Sequence, residues 1–413
     1  MAGIRITLKE TGQQSIARLW VHTPPESEKK EEPDYLIHFR RPETYDGEFG
    51  FDWMRDNYST ICNNYEELKK EYYDCEKNEK VELLKDKEYF VPWLSMFPEQ
   101  NDVNLLLELE KISDKIQDND YIILKSTKGV SFTPEKIKLK NIPIKKEEKE
   151  TGEGKKEKDE YLPIEKNKAV IKVSCKKLEK DVCIDILNSK GKCVGKLNVM
   201  ANNEILSLDI KFVGVCSIKN MKHLEDKFGY HIKDASIDYL KKNSFNQFLV
   251  KVNLIEEDFK KIEHINTADI PANMKESYGM VNDEGRKWLK KNCKSKEGFK
   301  GIIVFYLDVN HIKSSKAGDA DTYPLDDQFL FLYLNSAAKN DLAHEMGHVL
   351  GLLHTFKQKE DAQRNKAVLD KNPYKYEEGK TTNIMDYIDD WKRKDFYHWQ
   401  WLVMREEVKK YYS

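Results

Sequence analysis

A multidomain chain is predicted, with all-β, sandwich-like domains in the N-terminal part and an α+β domain at the C-terminal end. Three observations predict it. The length of 413 residues exceeds what one ordinary core holds. Short apolar runs of strand length recur on both sides of a segment made only of charged and small polar residues. Near residue 218 the apolar spacing changes from strand-like to helical.

The first stretch, MAGIRITLKETGQQSIARLW, alternates apolar and polar residues and reads as strand. It lacks the apolar h-region of a secretory signal, so export by the general secretory route is not expected. The runs IRITLKE, SIARLWVH, DYLIHFR, VNLLLELEKI, DYIILKST and VSFTPEKIKL, punctuated by Pro, Gly, Asn and Asp, make residues 1–144 a β-rich N-terminal region. KKEEKETGEGKKEKDE, residues 145–160, has nothing to bury against the entropy of ordering and reads as a linker or exposed loop. AVIKVSC, VCIDILN, CVGKLNV and ILSLDIKFVGVC, with turn candidates SKG and ANN, predict a small β-sandwich over 161–217. From 218 to 413, MKHLEDKFGYHIKDASIDYLKK has helical spacing and QFLVKVNLI follows as a strand. A helix ending in RKWLKKNC, a buried strand IIVFYLDV, a turn-rich acidic stretch and a second strand FLFLYLN complete the α+β domain.

Lys and Arg number 70 against 72 Asp and Glu, a net charge of −2, so no global field draws the chain to nucleic acid or an anionic membrane. No window approaches the roughly 18 consecutive apolar residues of a membrane span, and a protein soluble as made is expected. Seven cysteines, Cys62, Cys75, Cys175, Cys183, Cys193, Cys216 and Cys293, are too sparse and too odd in number for a disulfide framework. Four of them, Cys175, Cys183, Cys193 and Cys216, lie close together without a C-x-x-C pair, so they read as buried apolar thiols rather than a second zinc site.

Three of the ten histidines lie in AHEMGHVLGLLHTF. His344 and His348, four apart on a helix, share one face and can aim two imidazoles at one cation. Glu345 is rotated about 100° from His344 and can reach a metal-bound water without joining the coordination sphere, as a general base. A third ligand at His354 requires the chain to turn back, and Gly351 tolerates the backbone angles of that turn. Leu342, Met346, Val349 and Leu350 anchor the helix to the core. At this composition H-E-x-x-H-x-x-G-x-x-H arises by chance about once in twenty thousand chains, so a metal site is preferred to coincidence. Three neutral imidazoles with a fourth position for water form the catalytic zinc arrangement, which implies one Zn2+ and hydrolysis.

The motif resembles the metzincin clan of zinc metallopeptidases. TTNIMDY is similar to that clan's Met-turn, which implies that Met385 forms an apolar floor under the ligands. Tyr387 matches a position where several members hold a tyrosine near the zinc, implying a hydroxyl that stabilises the oxyanion; a buried core tyrosine is the alternative. HEMGHVLGLLHTF, NIMDY, Phe396, Gln400 and Met404 look most like the pappalysin, or cytophagalysin, branch. The likeness covers roughly 341–405 and extends plausibly back to about 245. Between Lys357 and Thr382 the cysteine pair and Asp-Thr-Pro element of that branch are missing, so its disulfide bracing and any calcium site tied to that loop do not carry over.

If the fold follows, FLFLYLN is an interior strand and residues 312–325 supply the edge along which an extended peptide substrate pairs. Asp319, Asp321, Asp326 and Asp327 offer oxygen ligands for Ca2+ there, although a solvated acidic loop is the preferred reading. His311 reads as structural or surface. YFVPWLSMFP, AVIKVSC and SFNQFLVKVNLI are loosely similar to leader modules of bacterial contractile-injection (type VI secretion) effectors and toxins; generic spacers or substrate-binding modules fit equally.

The expected function is that of a zinc metalloendopeptidase acting on protein or peptide, made in the bacterial cytoplasm and exported or injected by another route, with a secretion-apparatus or immunity partner. Two alternatives stay open: a non-catalytic binding or adhesion protein on a degenerate protease scaffold, and an intracellular peptidase.

Overall fold

The computed structural model describes residues 5–11, 14–20, 32–98, 102–117, 119–145, 169–275, 281–308, 317–334 and 338–412. Strands and helices both contribute, arranged in several sheets. An antiparallel hairpin joins Arg5–Thr11 to Gln14–Trp20.

Two larger sheets, beside the two-stranded pair Val81–Leu84 and Lys87–Tyr89, form the β-rich part. One has the order Val130–Thr133, Val170–Cys175, Val103–Lys111, Tyr35–Arg40. The other runs Lys136–Lys138, Tyr121–Leu124, Val182–Asn188, Cys193–Val199, Trp93–Ser95, Gly50–Asp52. Alternating side chains of both meet in one apolar cluster that includes Ile37, Leu105, Ile122, Val173, Ile184 and Leu197. The run VSFTPEKIKL is divided: Pro134 cannot donate to a ladder, and the halves before and after it join different sheets.

Strand pairing runs across the expected boundaries at 161 and 218. Val170–Cys175 lies between strands of the 1–144 region, and so does the pair Val182–Asn188 and Cys193–Val199. Leu206–Cys216 leaves that region and becomes a central strand of the C-terminal sheet. Its alternation looks like that of its sequence neighbours, but its buried residues Leu208, Ile210 and Phe212 face helices instead of a second sheet. The charged segment 145–160, beyond its first residue, lies outside the described residues.

The first region is also not purely β. Residues 53–76 contain the helical turns Tyr58–Ile61 and Tyr65–Leu68. Met54, Tyr58, Leu68 and Tyr72 from this stretch pack in the same core cluster as Met346, Ile384, Tyr397 and Trp401.

The C-terminal sheet has the order Val250–Leu254, Leu206–Cys216, Ile302–Leu307, Phe329–Tyr333, Gly318–Ala320. All neighbours are parallel except the last pair, where Gly318–Ala320 runs antiparallel to Phe329–Tyr333. Ile302–Leu307 is buried at every residue, as a parallel strand covered on both faces must be. The helix Asp341–Val349 packs against the sheet beside the Gly318–Ala320 edge, and all nine of its residues are buried. Among the described residues no helix is long and apolar enough to cross a membrane.

Candidate metal centre

The helix Asp341–Val349 carries His344, Glu345 and His348. Its start is tied down by Arg393, which donates to Asn340 Oδ1 at 3.3 Å and Asp341 Oδ1 at 3.2 Å. Its end closes by two reverse hydrogen bonds, Leu352 N–H to Gly347 O and Gly351 N–H to His348 O, both 2.9 Å. That pattern needs a left-handed residue, and Gly351 has φ +83°. Asn372 holds the loop beyond, accepting from Leu353 N–H and donating to Gly351 O, both at 2.8 Å. His354 is thereby returned over the helix.

The three rings converge. His354 Nε2 lies 3.2 Å from His344 Nε2 and 3.3 Å from His348 Nε2. His344 Nδ1 meets Ile384 O and His348 Nδ1 meets Leu352 O, both at 2.8 Å. A carbonyl only accepts, so each Nδ1 carries the proton and each Nε2 presents a lone pair to the centre. Ligands bonded tetrahedrally at 2.0–2.1 Å stand about 3.3 Å apart, and both distances from His354 Nε2 match that spacing, with all three ligand atoms within 4.8 Å of one another. His344, His348 and His354 are the cluster of metal-ligating side chains found among the described residues. An all-nitrogen set suits zinc or another borderline transition ion rather than calcium or magnesium.

Burial is the main cause that pushes the ring pKa values down, to about 3 for His344, to about 4 for His354 and well below the ordinary value for His348. The neighbouring rings add to this for His344 and His348. All three are neutral at physiological pH and ready to ligate without releasing a proton.

Met385 is fully buried on the turn after Ile384. A Cβ on Gly347 would sit 2.5 Å from Met385 Sδ, so the turn touches the helix backbone at the residue just before His348. The turn is held by Asn383 Oδ1, which accepts from Met385 N–H at 2.9 Å, and by Thr355 N–H, which donates to Met385 O at 3.1 Å. Asp386 accepts from Gly379 N–H, Thr381 N–H and the Thr381 hydroxyl.

Tyr387 is 52% exposed, so it is not a core side chain; its ring centroid lies 4.6 Å from that of His354 and 5.9 Å from that of His344. Burial of part of the ring, and then the Glu345 carboxylate, raise its pKa and keep the hydroxyl protonated. Glu345 is 8% exposed and lies under the edge strand: a Cβ on Gly318 would come within 2.4 Å of its Cγ and 2.9 Å of its Oε1.

The acidic stretch is engaged by the helix Asp283–Asn292. Asp319 pairs with Arg286, while Asp321 and Asp327 pair with Lys290. Residues 309–316, with His311 and the start of the expected edge strand, lie outside the described residues; the described part of that edge is Gly318–Ala320.

Gly318, Gly347, Asn372, Lys375, Asn383 and Asp395 also shape the centre, and sequence reasoning assigned them no role. Asn383, inside NIMDY, had a signal in its position. The others act on partners far along the chain, which no local pattern records.

No protein-family description matches the chain, and no curated protein matches it. Among solved structures, a chaperone–substrate complex is similar at a TM-score of 0.29 and 11% identity, over 57% of this chain; this chain spans only 41% of that one. Metalloproteinase-II from Bacteroides fragilis is similar at a TM-score of 0.28 and 12% identity, over 79% of this chain and 90% of that one. Likenesses this distant carry no argument about the reaction.

Proposed function

We propose that the chain is a zinc-dependent endopeptidase. One observation carries the reading: three neutral imidazoles converge with ligand atoms within 4.8 Å of one another, and Glu345 stands next to the first of them on the same buried helix. Zinc at such a site polarises a carbonyl and lowers the pKa of a bound water to about 7.

The chain's own groups do the rest. Glu345 takes the proton of the attacking water and passes it to the leaving amine. The Tyr387 hydroxyl, protonated and beside His354 and His344, donates to the oxygen on which negative charge develops. The Gly318–Ala320 edge, hydrogen-bonded on one side to Phe329–Tyr333, gives an extended peptide backbone a strand to pair with above Glu345.

Glu345→Gln decides between this reading and a scaffold that merely binds. The variant is expected to retain about one zinc per chain and to lose roughly 10²–10⁴-fold in cleavage of an unfolded protein. Turnover absent from both forms, or unchanged in the variant, overturns the peptidase reading.

A further inference from the structure

We propose that the N-terminal β-rich region is a working part of the metal centre: Arg41, Arg55 and Asn63 are positioning residues for two of its three imidazoles, His344 and His354. The inference rests on the zinc reading above. Two separate chains of contact support it.

The first begins with a buried cluster of charges. Arg41 and Arg55 donate to the same oxygen, Asp395 Oδ2, at 2.8 and 2.7 Å, and the three side chains are 0%, 5% and 0% exposed. The Trp53 ring lies near both guanidiniums, 4.6 Å from that of Arg41 and 4.0 Å from that of Arg55. Arg55 also donates to Asp52 Oδ1 at 2.5 Å, while Asp52 Oδ2 accepts from the Tyr72 hydroxyl and His398 N–H at 2.9 Å each. Two cations and two carboxylates therefore balance in a place water does not reach, where loss of one leaves another uncompensated.

Asp395 transmits that grip. Its Oδ1 accepts from the Thr382 hydroxyl at 3.0 Å and its backbone oxygen from Ile384 N–H at 2.8 Å. Ile384 in turn offers its carbonyl to His344 Nδ1. The position of Asp395 thus sets the acceptor that selects the tautomer and tilt of the first ring.

The second chain runs to His354. Asn63 makes a reciprocal pair with Lys375: its N–H donates to Lys375 O at 2.9 Å and its Oδ1 accepts from Lys375 N–H at 3.0 Å. Lys375 Nζ then donates to the backbone oxygen of His354 at 2.6 Å. His348 has no such line, because its Nδ1 partner, Leu352 O, belongs to the closing turn of its own helix. The N-terminal region acts on the two rings that the helix end alone does not orient.

The test uses the full chain. Zinc affinity is measured by competition with a chromogenic chelator, and the visible spectrum of the cobalt-substituted protein is recorded, for wild type, Arg55→Lys and Asn63→Ala. Lys196→Met is the control, since it breaks a buried ion pair with Asp74, 3.0 Å long, inside the β-rich region and away from residues 382–398. Both positioning variants are expected to bind zinc about 10–100-fold more weakly and to shift the cobalt bands, while the control loses thermal stability but keeps affinity and spectrum. Affinities within about twofold of wild type, or an equal loss in the control, overturn the proposal. Should Arg55→Lys fail to fold, Asn63→Ala alone decides. A wild-type chain that takes up no zinc sinks the peptidase reading itself, and this inference with it.

Discussion

Gly318 shows how a residue without a side chain shapes a site. An added methyl would overlap the Glu345 side chain, at 2.4 Å from Cγ, and would push the carboxylate from its place under the edge strand. Gly318→Ala is expected to keep zinc and lower kcat/KM by about 10–100-fold, because small misplacements of a general base are costly; unchanged kinetics would show that Glu345 moves without penalty. The imidazoles set a second expectation. Burial holds His354 near about 4 against an ordinary value of 6.5, so without metal the folded chain keeps this ring neutral while the unfolded chain protonates it. Above about pH 6.5 the group contributes nothing to pH dependence, and stability falls as pH drops from there toward 4. Between pH 6 and 5 the unfolding free energy of metal-free His354→Gln should change less steeply than wild type by about 1 kcal/mol per pH unit. Parallel urea-derived slopes for the two proteins would refute it.

At the scale of one element, the helix Asp341–Val349 sets intrinsic propensity against packing. Gly inside a helix costs about 1 kcal/mol relative to Ala, so Gly347→Ala stabilises an isolated helix. Here the new Cβ meets Met385 Sδ at 2.5 Å, and overpacking of about 1–3 kcal/mol wins. Gly347→Ala is therefore expected to destabilise the protein, and adding Met385→Ala should recover part of the loss; additive effects in a double-mutant cycle would deny the contact. The helix itself was readable from the spacing of His344, His348 and the apolar positions between them. Gly347 was not, because its partner lies on a turn 38 positions later and only packing brings it near.

Across the whole molecule, Arg41, Asp52, Arg55 and Tyr58 join residues 382–398, while Met54, Leu68 and Tyr72 share a core with Met346 and Trp401. A contact surface of this kind, apolar and closed by buried ion pairs, couples the two regions in unfolding. Urea unfolding followed by tryptophan emission and by zinc release is expected to give one coincident transition, and two separated midpoints would contradict it. Reading the chain from composition and spacing placed the runs DYLIHFR, AVIKVSC and FLFLYLN where strands lie. Strand pairing crosses the expected boundaries at 161 and 218, and spacing alone carried no sign of it, since local alternation is the same whichever sheet a strand joins.

What the sequence by itself determined is chemistry set within a few helical turns: His344 and His348 on one face, Glu345 rotated about 100° from His344, and the turn at Gly351 that returns His354, because helix geometry converts spacing directly into position. Tertiary structure alone decided which sheet Leu206–Cys216 enters, that Asp319, Asp321 and Asp327 meet Arg286 and Lys290, and that Arg41 and Arg55, more than 300 residues upstream, meet Asp395, whose backbone oxygen accepts from Ile384 N–H. Those outcomes depend on which buried charges and apolar faces find partners far along the chain, and a window of neighbouring residues carries no record of that choice.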